Sequence, residues 1–341
     1  MAYITGTATS PIDLLDTLQT FLETNGWTTY YAGLDGSGKR LHMVKGDIRV
    51  NLRAAKQEKI WPDMRDTGVE RYGIGLNCST GFDNEAAWHS QPGAPTDIMN
   101  RVVGVGIPLH GDRIPKYVIN YLTSPDAVYL SCEMQEGYWV HMAFGALRKI
   151  GNWPGGTFFS ASRNHYYMYA KAGFTDIDTE NQRLFSQETY SNTYVRADID
   201  AFDRMWLSAG ERTNAIETGY TGKPIAGALK KLSGLGYSAS VPNYALLQCA
   251  SAADDGRTAN TLNCLTINLP LYIYALRDPN AMNEYSLIGY VPHAYYANLK
   301  YLAPSGIYEI DHVGGDQYSV FPFSRREGQF GYDGLSVRYI P

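Results

Sequence analysis

Residues 10–26, SPIDLLDTLQTFLETNG, carry the clearest helical pattern in the chain and constrain everything around them. Ser10 is a good N-cap, because its hydroxyl accepts an orphan backbone N–H. Pro11 fits the first helical turn, and Asp13 places a carboxylate near the positive end of the dipole. Leu14, Leu15, Leu18, Phe21 and Leu22 form one apolar stripe at helical spacing, and Asn25-Gly26 supplies a left-handed stop. A helix with one apolar stripe must bury it, and the next three segments are strand-like: WTTYYA (Trp27 to Ala32), RLHMV (Arg40 to Val44) and DIRVNL (Asp47 to Leu52). The expected fold is α+β and β-rich, with the N-terminal helix packed on an antiparallel sheet.

Between the first two of these strands lies GLDGSGKR, Gly33 to Arg40, one residue away from the phosphate-binding pattern G-x-x-x-x-G-K-[ST]. Position eight is Arg40, where that chemistry needs a hydroxyl for Mg²⁺. The pattern also needs a helix after the lysine, whose N-terminus helps to hold the phosphates. Here the residues after Lys39 alternate and run into a further strand. The glycines are therefore expected to make the tip of a β-hairpin, where positive φ is required.

A second hairpin is expected from AVYLSCEM (Ala127 to Met134) and YWVHMAFG (Tyr138 to Gly145), joined by the three-residue loop Gln135-Glu136-Gly137. Tyr138, Val140, Met142 and Phe144 share one face only if His141 points the other way, as a half-buried sheet histidine. Trp153, before Pro154-Gly155-Gly156, is expected to anchor its loop onto a sheet. Five short strands are expected near the C-terminus: Asn268 to Asp278, Leu287 to Leu299, Gly306 to Val313, Asp316 to Phe323 and Leu335 to Ile340. Gly314-Gly315 gives a tight hairpin signal between two of them. The chain divides into residues 1–163, a helix plus antiparallel β domain; residues 164–263, a loop-rich inserted region with weak periodicity; and residues 264–341, a C-terminal β region.

Composition narrows the function. Charged residues make up 18% of the 341, against about 25% in ordinary soluble domains, while 27 are tyrosine and 34 glycine. Low charge with abundant tyrosine suits β-structure and extensive protein–protein contact. A net charge of −5 and the lack of Lys/Arg runs argue against non-specific nucleic-acid binding. No apolar run is long enough for a membrane anchor, and the start, MAYITGTATS, lacks the features of an export signal. Cys78, Cys132, Cys249 and Cys264 are widely spaced and read as isolated buried thiols.

The search for chemistry returns no candidate catalytic, cofactor-binding or metal-binding residue. There is no G-x-S-x-G and no H-E-x-x-H. Asp176 and Asp178 resemble the start of an EF-hand loop, but the required glycine is missing. Asp198, Asp200 and Asp203 read as a helix cap and first turn. Glu133 and Glu136 form a conceivable acid/base pair for a sugar, yet their place at a hairpin turn reads better as solubilising the loop.

Four stretches, in order and reaching both ends of the chain, resemble a family of virion structural proteins of tailed bacteriophages: ITGTATSPIDLLDTLQTFLETNGWT, AAWHSQPGAP (Ala86 to Pro95), VHMAFGALRKIGNWPGGTFFSA (Val140 to Ala161) and LIGYVPHAYYANLKYLAP…YSVFPFSRRE…GYDGLSVRY. The resemblance implies a non-enzymatic component of the tail or baseplate without cofactors, assembled in the host cytoplasm. It also implies a ring, six-fold or three-fold, around the tail axis. Its partners would be other copies of itself together with tail-tube and baseplate or hub proteins, as for the ripcord protein that bridges tube and hub in contractile tails. No sequence-specific nucleic acid is expected among them. Two alternatives stay open: a tail-associated carbohydrate-binding or polysaccharide-cleaving protein, for which Trp139, Trp153 and Trp206 would supply stacking surfaces, and a neck or tail-completion protein.

Overall fold

The computed structural model describes residues 1–56, 58, 72–95, 103–107, 114–164, 184–185, 193–197, 206–208, 225–227, 268–276, 285–310, 315–323 and 333–341. Strand β1 (Ala2–Ala8) leads into helix α1 (Pro11–Thr24). Next are β2 (Thr28–Asp35), β3 (Gly38–Lys45), β4 (Ile48–Lys56), β5 (Tyr72–Ser79), β6 (Val103–Ile107), β7 (Ile114–Leu122), β8 (Ala127–Gln135) and β9 (Tyr138–Ala146). Then come β10 (Arg148–Lys149), β11 (Gly155–Ala161), β12 (Arg163–Asn164), β13 (Thr193–Ala197), β14 (Trp206–Ser208) and β15 (Ile225–Gly227). The last five strands are β16 (Leu269–Leu276), β17 (Tyr285–Asn298), β18 (Ile307–Glu309), β19 (Gln317–Pro322) and β20 (Asp333–Tyr339).

These strands build three antiparallel sheets. A seven-stranded central sheet has the order β1-β7-β8-β9-β11-β13-β14. A six-stranded sheet, β12-β6-β5-β4-β3-β2, packs on one of its faces. The third, β15-β16-β17-β20-β19-β18 with β10 beside β17, packs on the other. Two cores show this layering. On one face of the central sheet Ile119, Leu130, Val140 and Phe144 meet Leu41, Val50, Leu52 and Ile74. On the opposite face Tyr129, Ala143, Phe158 and Val195 meet Leu271, Ile273, Ile288 and Val337. An antiparallel sheet usually keeps one face in water and alternates in polarity. Covered on both sides, β9 is instead buried from its first residue through Gly145.

Helix α1 fills the space between the central sheet and the six-stranded sheet, touching β1 and β7 on one side and β2 to β5 on the other. Its five expected apolar residues, together with Pro11, are the buried ones. Each fully buried leucine contributes roughly 1.5–3 kcal/mol relative to exposure. The caps are as the sequence indicates. Ser10 Oγ accepts the Asp13 N–H at 3.1 Å, and the Asp13 carboxylate reaches back to the Thr9 N–H at 2.7 Å. At the far end Gly26 sits at φ +81°, and the Trp27 N–H returns to the Leu22 carbonyl at 3.0 Å.

Several expectations shift in detail. GLDGSGKR is a hairpin tip: Asp35 pairs with Gly38 across Gly36-Ser37, and Gly36 takes φ +67°. The second hairpin turns on two residues, Glu136-Gly137, with a bulge between Glu133 and Gln135. That irregularity frees the Glu133 carboxylate to accept the Gly137 N–H at 2.8 Å. The described β18–β19 ladder pairs Ile307 to Glu309 with Ser319 to Gln317, and Gly314 of the expected Gly314-Gly315 turn lies outside the described residues. Ile310 joins the apolar cluster of Ala297, Leu299 and Val320, and Asp316 pairs with Arg338, so both leave the ladder. Within residues 164–263, β13 and β14 extend the central sheet and β15 borders the third one. Most of that stretch, with Asp176, Asp178, Asp198, Asp200, Asp203 and Cys249, lies outside the described residues, as does Cys264.

Candidate contact surface

The outer face of the six-stranded sheet gathers an unusual set of side chains at β2, its edge strand. The β2–β3 register slips between Thr29 and Tyr31, leaving Tyr30 as a bulge residue. A bulge of this kind bends the strand and re-aims its side chains. Consecutive tyrosines, which a regular strand would send to opposite faces, thus both reach the outer one. Tyr30 leans on Phe82 with ring centroids 5.7 Å apart, while Tyr31 lies 6.1 Å from the His42 ring. Arg40 sits over the Tyr31 ring at 4.2 Å. The Tyr31 ring also covers Gly33, where a Cβ would stand 2.6 Å from the Tyr31 hydroxyl.

A loop over residues 80–95 closes this face. The Thr80 and Gly81 N–H groups both donate to the Pro92 carbonyl at 3.0 Å. Gln91 holds the interior: its Oε1 accepts the Asp83 N–H at 2.8 Å, and its Nε2 lies 3.1 Å from each of the Asp83, Ala86 and Ala87 carbonyls. Arg40 fastens the loop to β3 by donating to the Asn84 and Ala86 carbonyls at 2.8 and 3.2 Å.

Beneath the loop runs a chain of hydrogen bonds across β3, β4 and β5, and its direction determines a tautomer. The His89 carbonyl can only accept, so Asn77 Nδ2 donates to it at 2.9 Å. Asn77 Oδ1 then accepts from Asn51 Nδ2 at 2.9 Å, which turns Asn51 Oδ1 toward His42 Nδ1 at 2.7 Å. His42 therefore carries its proton on Nδ1 and leaves Nε2 as a bare acceptor. That nitrogen is buried without a partner. Burial, reinforced by the charge of Arg40, lowers the His42 pKa to about 4. Nitrogen-15 spectra of the histidine rings at pH 7 should show His42 neutral and protonated on Nδ1. A proton on Nε2 would contradict this direction of the hydrogen bonds.

The residues singled out from sequence fall in different places. His141 does turn away from Tyr138, Val140, Met142 and Phe144, but it is fully buried, not half-buried, because the third sheet covers that face. Its Nε2 donates to the Pro322 carbonyl at 2.8 Å, so Nδ1 accepts from the Ser131 hydroxyl at 2.9 Å. Burial lowers its pKa to about 4. Trp153 anchors its loop by donating to the Ile288 carbonyl at 3.1 Å. Trp139 is buried against Phe321 and presents no stacking surface, and Trp206 donates to the Gly93 carbonyl at 2.7 Å. Cys78 and Cys132 are free, buried thiols whose pKa burial raises.

Lys39 bonds to Asp16 and, at 2.9 Å, to Gln19 Oε1, tying the hairpin to α1. Partly exposed ion pairs of this kind contribute about 0–1 kcal/mol. Lys39→Ala should therefore lower stability by no more than about 1 kcal/mol, measured by urea unfolding, and calorimetry should detect no ATP binding in either protein. Saturable ATP binding lost in the variant would reverse the hairpin reading.

Among the described residues no three His, Cys, Asp or Glu side chains are grouped to hold a metal ion, and no helix is long and apolar enough to cross a membrane. Neither protein-family models nor curated protein sequences match the chain. Sequence reasoning missed this face because the bulge and the closing loop depend on contacts between distant segments. The available signals were the adjacent Tyr30-Tyr31 and the polar His42 and Asn51 set between apolar neighbours, Leu41 and Met43 on β3 and Val50 and Leu52 on β4.

Proposed function

We propose that this chain is a non-enzymatic structural component of a tailed-bacteriophage virion. It would belong to the tail or baseplate and surround the tail axis with other copies of itself, against tail-tube and baseplate or hub proteins. The carrying observation is the use made of polar and aromatic groups. Gln91, His42, Asn51, Asn77 and His141 are consumed by hydrogen bonds that fasten layers and loops, while apolar groups are left outside on an edge strand. Tyr30 is 49% exposed and Leu34 80% exposed, both on β2. A framework of this kind suits repeated protein contact better than turnover. In the same reading residues 164–263 are a loop-rich insertion that meets partners, and residues 264–341 a C-terminal β region.

A second reading, a carbohydrate-binding tail protein, draws on the exposed Tyr30 ring beside Phe82 and Arg40. Mass spectrometry of purified phage particles, with a polysaccharide-cleavage assay on the isolated chain, separates the two. The structural reading expects a fixed copy number per particle and no cleavage. Absence from particles, or turnover by the isolated chain, would overturn it.

A further inference from the structure

We propose that the free edge of β2 pairs with a strand of a second copy of this chain, continuing the six-stranded sheet from one molecule into the next. The inference rests on the reading of the chain as a repeated subunit, which makes another copy the neighbour at highest local concentration. Strand β2 spans eight residues, TTYYAGLD, and among the described residues no strand pairs with it on the side away from β3. Its outward N–H and C=O groups therefore form a template for another strand.

Natural edges are blunted by lysine, proline, shortness, a bulge or a covering element, and β2 has one of these, the bulge at Tyr30. Strand β2 has no Lys, Arg or Pro, and it bears the highly exposed Leu34 and Tyr30. Its one carboxylate, Asp35, is matched within the molecule by Arg53, whose Nε donates to it at 2.8 Å. The bulge confines regular pairing to residues 31–35. Charge chooses the occupant. Strand β2 itself has no charge left free to pair with an incoming one, since its Asp35 is already matched by Arg53, whereas an uncharged strand needs none. This chain offers edges without an unmatched charge: β2 itself, whose Asp35 is held by Arg53, and β1, AYITGTA, which pairs only with β7 among the described strands. Two copies can thus meet edge to edge without placing like charges opposite one another.

The test uses the full chain. Light scattering at micromolar concentrations should give the mass of two or more copies, against 37.9 kDa for one. Backbone amides of β2 should exchange more slowly as concentration rises. Leu34→Lys and, separately, Tyr30→Lys put a charge on the edge at exposed positions and should return the chain to monomer mass while it stays folded, with a melting temperature that no longer depends on concentration. A wild type at monomer mass whose β2 amides exchange at one rate at every concentration would overturn the proposal. So would oligomers that both variants leave intact. In purified particles, Leu34→Lys at full occupancy would overturn the edge contact while leaving the virion reading in place. Absence of the wild-type chain from particles would overturn the virion reading, whatever the solution mass shows.

Discussion

Leu18→Asp is expected to yield no soluble, folded protein. Leu18 is fully buried on α1, in the core that the helix shares with the central and six-stranded sheets. Truncating a buried leucine to alanine alone costs about 2–5 kcal/mol. The aspartate adds a carboxylate with no partner, which must stay protonated or pull the helix out of its groove. Together these approach the whole stability of a typical domain, about 5–15 kcal/mol. Leu18→Met, which keeps the volume, should cost less than about 1.5 kcal/mol and serves as the control. Soluble yield and thermal melts measure both. A wild-type melt for Leu18→Asp would mean that the helix lies in solvent.

Mild acid should weaken the fold well before its carboxylates titrate, because two neutral histidines are locked inside it. His42 and His141 have folded pKa values near 4, below the ordinary value of 6.5. A histidine with a depressed folded pKa contributes nothing adverse above pH 6.5, where both states are neutral. As pH falls below 6.5 the unfolded chain takes up protons that the folded one refuses, and stability drops until about pH 4. Each group contributes a slope near 1.4 kcal/mol per pH unit across that window. Between pH 7 and pH 5 the two together should remove roughly 2–4 kcal/mol. Urea unfolding at the two pH values measures the loss, and His42→Gln should reduce its slope by about half. Stability that is flat from pH 7 to pH 5 would show that these rings are hydrated or already protonated in the fold.

The hairpin at Gly33 to Arg40 illustrates how local chemistry resolves a misleading pattern. Three positions of a nucleotide signature are present, yet alternation after Lys39 specifies a strand, and a strand cannot offer a helix N-terminus to phosphate. The same local logic made α1 legible in full: its cap, its stripe and its stop are all written within residues 10–26. His141 marks the boundary of that legibility. Alternation placed it opposite Val140 and Met142, but the depth of its burial depended on Pro322, 181 residues away.

The sequence by itself determined the elements whose signals are local: the capped helix, the glycine turns, the alternating strands of both hairpins and the Trp153 anchor. Each rests on torsional preference or on a periodicity within a few turns or strand lengths. The tertiary structure alone decided that the β7–β8–β9 region is a middle layer with two cores, that Tyr30 and Tyr31 share a face, and that an Asn–Asn–His chain sets the tautomer beneath a loop. The reason is physical. Alternation shows which residues share a face but not whether that face meets water or another sheet. Sheet stacking and strand register are set by contacts between segments far apart in the chain, which no local window contains.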